Sequence, residues 1–292
     1  MQAAVATKLT WAGDYAYDVR YFPESAVFKT MTAIVRTWTP QGFALVADGR
    51  SRREGVIRTE TAQKIFPLES PIGSFAYSIS GTAELFIGDS EEVLVSLAGE
   101  IQRSAESLRG RRTSNLTGYA VRLVRPAYKA LNDVWESINP QTLPSQPSLP
   151  GERGYTILRL SLDGYHGEYP ASVSVRMFHE NGRLRELEVL PERLPLGFHM
   201  AAAPAPMIGR ILWQDVNDPR LSAYKGRLVF AEDMTISDAL ERSRLFIQAH
   251  SDPEAIALDP NCLEVGGHIH IATITPSEGF KWIIEPIFVN VP

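Results

Sequence analysis

The chain has 292 residues, of which 44% are hydrophobic, and a net charge of −5 with acids and bases mixed along its length. That is enough apolar material for a folded core, while the charge leaves no electrostatic footprint for nucleic acid and no basic amphipathic stripe for a membrane surface. A single cysteine, Cys262, excludes an intramolecular disulfide and any multi-thiolate zinc site.

Residues 1–30 hold Trp, Tyr and Phe without a clear period and read as an extension ahead of the folded part. Two short apolar runs, 32–38 and 43–47, flank Thr39-Pro40-Gln41-Gly42 and predict a β-hairpin that folds Asp48 back towards Thr32. The run 73–80 alternates as a half-buried strand. Leu85, Val93, Leu94, Leu97, Ile101 and Leu108 then follow a helical period and predict a helix over 83–108. A second helical pattern follows, with Val121, Val124, Tyr128, Leu131, Val134, Trp135 and Ile138 inward; Pro126 should kink it or mark its start.

The Pro-rich stretch 139–154 is the one compositional break and reads as a surface loop within a single domain, 31–292. Alternating runs at 155–162, 171–178 and 184–190, joined by Asp163-Gly164 and Asn181-Gly182 turn signals, predict a β-meander. A short helix is expected over 207–215, and Thr235 to Asp238 fits a capping box before 239–249. Runs 266–275 and 280–289 predict a closing hairpin. Strands and helices segregated in this way predict an α+β sandwich, with sheets face to face and helices outside, and without an internal repeat.

The basic runs at 50–53 and 109–112 read as solvated loops rather than binding patches. The N-terminus lacks an apolar targeting core and no run of about eighteen apolar residues occurs, so a reducing, cytoplasmic setting is expected. The sequon Asn115-Leu116-Thr117 then has no meaning for glycosylation. Phosphate-loop, dinucleotide, His-Glu-x-x-His and Gly-x-Ser-x-Gly motifs are all absent from the sequence. His268 and His270, two apart on a predicted strand, are compatible with metal ligation but read better as ordinary strand residues, and Cys262 reads as inert.

Thr32, Asp48 and Lys64 stand apart, because Asp48 follows Thr32 by sixteen positions and Lys64 follows Asp48 by sixteen more. The text around them is Thr32-Ala-Ile-Val, Asp48-Gly-Arg50 and Thr61-Ala-Gln-Lys64, followed by Ser78-Ile-Ser-Gly81 and Gly266-Gly-His-Ile-His. In that order the landmarks resemble the proteasome-type N-terminal nucleophile (Ntn) hydrolases, both proteasome β-subunit-like and bacterial proteasome-related threonine peptidases. The resemblance implies a four-layer αββα sandwich of the Ntn-hydrolase type and hydrolysis of peptide bonds through an acyl-enzyme ester. It also implies no cofactor and no metal, a peptide or unfolded-protein substrate, a homo-oligomeric state and room for an ATPase partner.

The resemblance further implies roles. Thr32 is the nucleophile and, through its own α-amine, the base; Lys64 is the electrostatic activator, Asp48 its partner, Arg50 a support, and the Gly81 N–H the oxyanion donor. The chemistry is coherent, since a threonine hydroxyl is a poor nucleophile until a base takes its proton, and a free α-amine has a pKa near 8. Those roles require Thr32 to be the first residue. Autolytic removal of a propeptide is one route; the other, preferred here, is that Met31 is the true start and is removed before the small Thr32. The rival reading is a non-catalytic structural or assembly subunit that retains the fold, because the stretches 198–206 and 261–266 lack the serines that complete the family's pocket.

Overall fold

The computed structural model describes residues 32–53, 56–70, 73–86, 92–111, 115–140, 146–147, 153–192, 199–202, 205–213, 218–225, 227–228, 231 and 233–287. The predicted extension 1–30 and most of the Pro-rich stretch lie outside them. Strands β1 (Ile34–Thr39) and β2 (Gly42–Ala47) are followed by β3 (Ser51–Arg53), β4 (Val56–Thr59), β5 (Ile65–Ser70), β6 (Gly73–Gly81), β7 (Glu84–Phe86) and β8 (Val93–Ser96). Helices α1 (Leu97–Leu108) and α2 (Leu116–Val134) precede β9 (Gln146–Pro147), β10 (Tyr155–His166), β11 (Tyr169–Glu180), β12 (Arg183–Leu184), β13 (Glu188–Glu192) and β14 (His199–Ala202). Helices α3 (Pro206–Trp213), α4 (Ile236–Ser251) and α5 (Pro253–Leu258) lead into β15 (His270–Thr275) and β16 (Gly279–Ile284).

The result is a mixed α+β fold with antiparallel sheets. One sheet runs β14-β1-β2-β15-β16; the other runs β12-β11-β10-β6-β5, with β13 on β11 and β9 on β10. Period-2 alternation divides the core between their faces. Ile34, Phe43, Leu45 and Ala47 of the first sheet meet Ile65, Ala76 and Tyr165 of the second in one apolar cluster. On its other face the second sheet packs Phe75, Tyr77, Leu160 and Val175 against Leu97, Ile101, Leu123 and Leu131 of α1 and α2. The first sheet's other face places Val35 and Val46 with Ile208, Phe246 and Ala255 of α3, α4 and α5. Burial on both faces explains why β2 reads as a continuous apolar run.

An ion pair lies between the sheets, Arg36 on β1 with Asp163 on β10 at 2.7 Å, and Ser172 of β11 donates to the same carboxylate oxygen at 2.7 Å. This corrects the expected turn at Asp163-Gly164. The carboxylate is committed across the sandwich, and the chain reverses instead at Gly167, where φ is +63°. Asn181 and Gly182, at φ 52° and 74°, do form the second expected turn.

The helix expected over 83–108 is also corrected. Residues 84–86 and 93–96 form a strand pair instead, with Glu84 opposite Ser96 and Leu85 opposite Val95, and α1 starts only after Ser96, whose hydroxyl accepts from the Gly99 N–H. Val93-Leu94-Val95 carries the β-branched pattern that favours the strand, and Leu97, Ile101, Ser104 and Leu108 keep the helical spacing beyond it. Helix α4 begins with the expected Thr235–Asp238 capping box but starts at Ile236, and α5 was not expected although Asp252 and Pro253 form a standard cap and first position. The closing hairpin is shorter than predicted, so His268 precedes the strand that holds His270. Pro67 sits exposed on β5, an edge strand, where its missing N–H costs nothing.

Pro126 neither starts nor ends α2, which runs continuously past it from an Asn115 cap. The carbonyl four residues back, on Arg122, therefore lacks its helical donor, and the hydroxyl of Ser104 on α1 supplies one at 2.9 Å. Ser104→Ala should cost about 1 kcal/mol, the net worth of a half-buried hydrogen bond. Urea unfolding should show that cost shrink in a Pro126→Ala background, where the helix regains its own N–H.

Candidate active site

The first hairpin builds the site. Pairing of β1 with β2 ends in a hydrogen bond from Asp48 N to Ala33 O at 3.0 Å, and the Asp48 carboxylate returns it by accepting the Ala33 N–H at 2.9 Å. Asp48 is thereby fixed one residue from Thr32, and both side chains are buried. The same oxygen, Oδ1, accepts from Lys64 Nζ at 2.5 Å, while Oδ2 accepts from Gly266 N at 3.1 Å and Arg50 N at 3.2 Å. Ammonium and backbone donors alone surround the carboxyl, so it acts as an acceptor throughout and is the ionised partner of the lysine.

Lys64 reaches Asp48 from just before β5. Its Nζ also donates to Arg50 O at 2.8 Å, its carbonyl accepts from Ile79 N at 3.1 Å, and its own N–H is taken by Nε2 of His270 at 3.2 Å. The last contact assigns the His270 proton to Nδ1 and ties the two sheets together at the lysine. Burial pushes the Lys64 ammonium below its ordinary value, opposed by the Asp48 charge. Burial likewise pushes the Asp48 carboxyl up, against Lys64 and the Ala33 and Gly266 N–H groups. His270 is pushed down to about 3, chiefly by burial and then by the Lys64 charge, so its imidazole is neutral.

Arg50 does not touch the lysine through its side chain. Its guanidinium grips Glu60 from Nε and Nη2 at 3.0–3.2 Å and takes the carbonyls of Leu263 and Val265, each at 3.0 Å. It thus pins the loop that delivers Gly266 to Asp48. Gly49 and Arg50 both donate to Gly266 O, and His268 N donates to Glu60 O at 2.7 Å. Gly266, at φ +150°, has no room for a Cβ beside the Arg50 guanidinium.

The structure brings Asp48, Lys64 and Arg50 into one cluster, fastened to the main chain at Ala33, the residue after Thr32. Gly81 ends β6 two residues beyond Ile79, paired with Leu158, and a Cβ there would strike the Ile157 carbonyl. Packing alone thus demands a glycine at this position, and no contact ties it to Thr32. The run 50–53 is not a solvated loop: Arg50 and Arg52 are largely buried and paired, Arg52 with Glu264 at 3.1 Å. Sequence reasoning missed Arg52, Glu60, Glu264 and His270. The spacing Arg50-Ser51-Arg52, in which two cations recur two positions apart as on one side of a strand, was the available signal.

His268 Nε2 donates to Glu285 O at 2.7 Å, and His270 Nε2 accepts from Lys64 N. Among the described residues no group of three or more His, Cys, Asp or Glu side chains could hold a metal. Cys262 is buried, its thiol pushed up to about 12 by burial. No described helix is long and apolar enough to cross a membrane.

No family model and no curated protein matches the sequence. Solved structures do match in fold. Anbu (ancestral beta-subunit) from Yersinia bercovieri is similar at a TM-score of 0.50 and 13% identity, covering 87% of this chain and 87% of that one. The helical assembly of the Anbu complex from Pseudomonas aeruginosa is similar at 0.50 and 12% identity, covering 89% and 88%. The expectation of membership in the proteasome-type Ntn hydrolases, as a proteasome β-subunit-like or bacterial proteasome-related threonine peptidase, is corrected by these findings. The neighbours are ancestral beta-subunit proteins, whose fold is proteasome-like and Ntn-related but distinct. The hairpin sets the Thr32–Asp48 spacing and the entry into β5 of the second sheet brings Lys64 to Asp48, so the spacing reports a fold and does not single out one family. At 12% and 13% identity the likeness is one of fold, which is proteasome-related.

Proposed function

We propose that residues 32–292 form a single domain acting as a threonine-type peptidase, with Thr32 as its N-terminal nucleophile. The observation that carries this reading is the buried Lys64–Asp48 pair fastened to the main chain at Ala33, next to Thr32. A buried ammonium paired with a carboxylate that is itself bonded to the main chain next to a threonine is an arrangement that lowers a hydroxyl's pKa and orients it. Once the Met31–Thr32 bond is broken, the new α-amine takes the hydroxyl proton as the oxygen adds to the scissile carbonyl. A backbone N–H, assigned to Gly81, stabilises the oxyanion; the amine returns the proton to the leaving nitrogen, and water then cleaves the Thr32 ester. The roles of Asp48 and Arg50 follow: one keeps Lys64 charged, the other holds the 263–266 loop against Asp48.

The three apolar clusters, one between the sheets and one under each helical layer, support a four-layer αββα order for this domain. The Pseudomonas aeruginosa neighbour is a helical assembly, which supports a homo-oligomer here. A second reading is a non-catalytic assembly subunit. It is favoured by the burial of Thr32.

Terminal sequencing of native protein separates the two. A chain beginning at Thr32 that hydrolyses peptides, with activity lost in Thr32→Ala by at least about a thousandfold, is the expected result. A native chain that begins upstream, or hydrolysis unaffected by the substitution, contradicts it.

A further inference from the structure

Around the start of β5 three cations meet three acids: Lys64 with Asp48, Arg50 with Glu60, and Arg52 with Glu264. Five of these residues lie between positions 48 and 64. Glu264 alone arrives from elsewhere, at the end of the 3₁₀ turn Pro260–Glu264. Its pair with Arg52 is buried almost as deeply as the central one, with side chains 10% and 11% exposed. Pairs taken that far out of water contribute little net stability, because desolvation cancels most of the attraction. Their position is more informative. Arg50 holds the carbonyls on either side of Glu264, and the Gly266 N–H two residues on is bonded to Asp48.

We propose that Glu264, held by Arg52, is a positioning residue that balances the charge beside Lys64 and fixes the Gly266 loop on Asp48, so that the lysine stays an ammonium in a dry site. The inference rests on the reading of Lys64 as an activator. Among the charges that face Lys64, Asp48 and then Glu264 oppose the effect of burial, whereas Arg50 adds to it. His270, the other titratable group against it, is neutral. Glu264 is itself raised by burial and held down by Arg52, then Arg50 and Lys64. Without Glu264 a carboxylate that opposes the effect of burial on Lys64 is gone, and Lys64 loses its proton more readily. Without Arg52, an unbalanced carboxylate has the opposite effect.

Titration of the full chain labelled at lysine ¹³Cε, with the Lys64 resonance assigned by its loss in Lys64→Met, tests this whether or not the protein is active. Glu264→Gln should lower the Lys64 titration by about one pH unit and Arg52→Gln should raise it by a similar amount. A titration that does not move in either variant overturns the proposal. In the hydrolysis assay Glu264→Gln should reduce kcat with KM nearly constant and draw the alkaline limb of the pH profile down. A Thr32-independent activity would refute the peptidase reading and leave the titration to decide the role of Glu264.

Discussion

Lys64→Ala should abolish Thr32-dependent hydrolysis and destabilise the fold by about 3–5 kcal/mol, the cost of stranding one member of a buried ion pair. The stranded group is Asp48, which is fully buried and would keep only its backbone donors. A double substitution separates the two losses. In Lys64→Met with Asp48→Asn, the amide oxygen still accepts from Ala33, Gly266 or Arg50 and no charge is left buried, so about 2 kcal/mol or more of stability should return. Activity should not return, since no ammonium remains beside Thr32. Guanidinium unfolding and peptide hydrolysis on the same preparations check both parts. A Lys64→Ala protein with parental hydrolysis would remove the centre from this site altogether.

His270 predicts a large acid effect. Its folded value is about 3 against an ordinary 6.5, so the native state disfavours the proton that the unfolded chain accepts. The stability linked to neutral His270 is fully present above about pH 6.5 and is lost progressively as the pH falls towards 3. By linkage the loss near pH 4 is about 3 kcal/mol. The protonated ring could no longer accept from Lys64 N, so acid loosens the lysine's attachment as well. Burial of Asp48 and Glu264 raises their carboxyl groups and works in the opposite sense as the pH falls, so His270 must be isolated by substitution. His270→Gln offers a neutral acceptor in a similar place. It should match the parent near neutrality within about 1 kcal/mol and exceed it by a few kcal/mol around pH 4. Identical acid unfolding of the two proteins would show that His270 does not control acid stability.

The first hairpin was legible in the sequence because both of its strands are apolar and its turn is marked by Pro40 and Gly42. That legibility carried Asp48 with it, since hairpin register fixes which residues meet, whereas Lys64, outside the hairpin, was marked only by the family resemblance. The helix expected from residue 83 was misread because Leu85 and Val93 satisfy a helical period while actually lying on paired strands. The Asp163-Gly164 turn failed for a long-range reason: its aspartate answers Arg36, a partner 127 positions away. The same limit hid Glu264 and His270, which lie more than 200 positions from the residues they serve. Local patterns report strands, caps and turns, whereas the partners of a buried charge are set by how the sheets stack.

Under the proposed function Thr32, freed at its nitrogen, reacts through its hydroxyl next to the Lys64–Asp48 pair that is fastened at Ala33. A peptide epoxyketone tests it directly, because the ketone takes a hydroxyl and the epoxide takes the α-amine of the same residue. Intact-mass analysis of protein beginning at Thr32 should show one adduct per chain, placed on Thr32 by peptide mapping and absent from Thr32→Ala and Lys64→Ala. Protein that begins at Thr32, is folded and remains unlabelled would contradict the account.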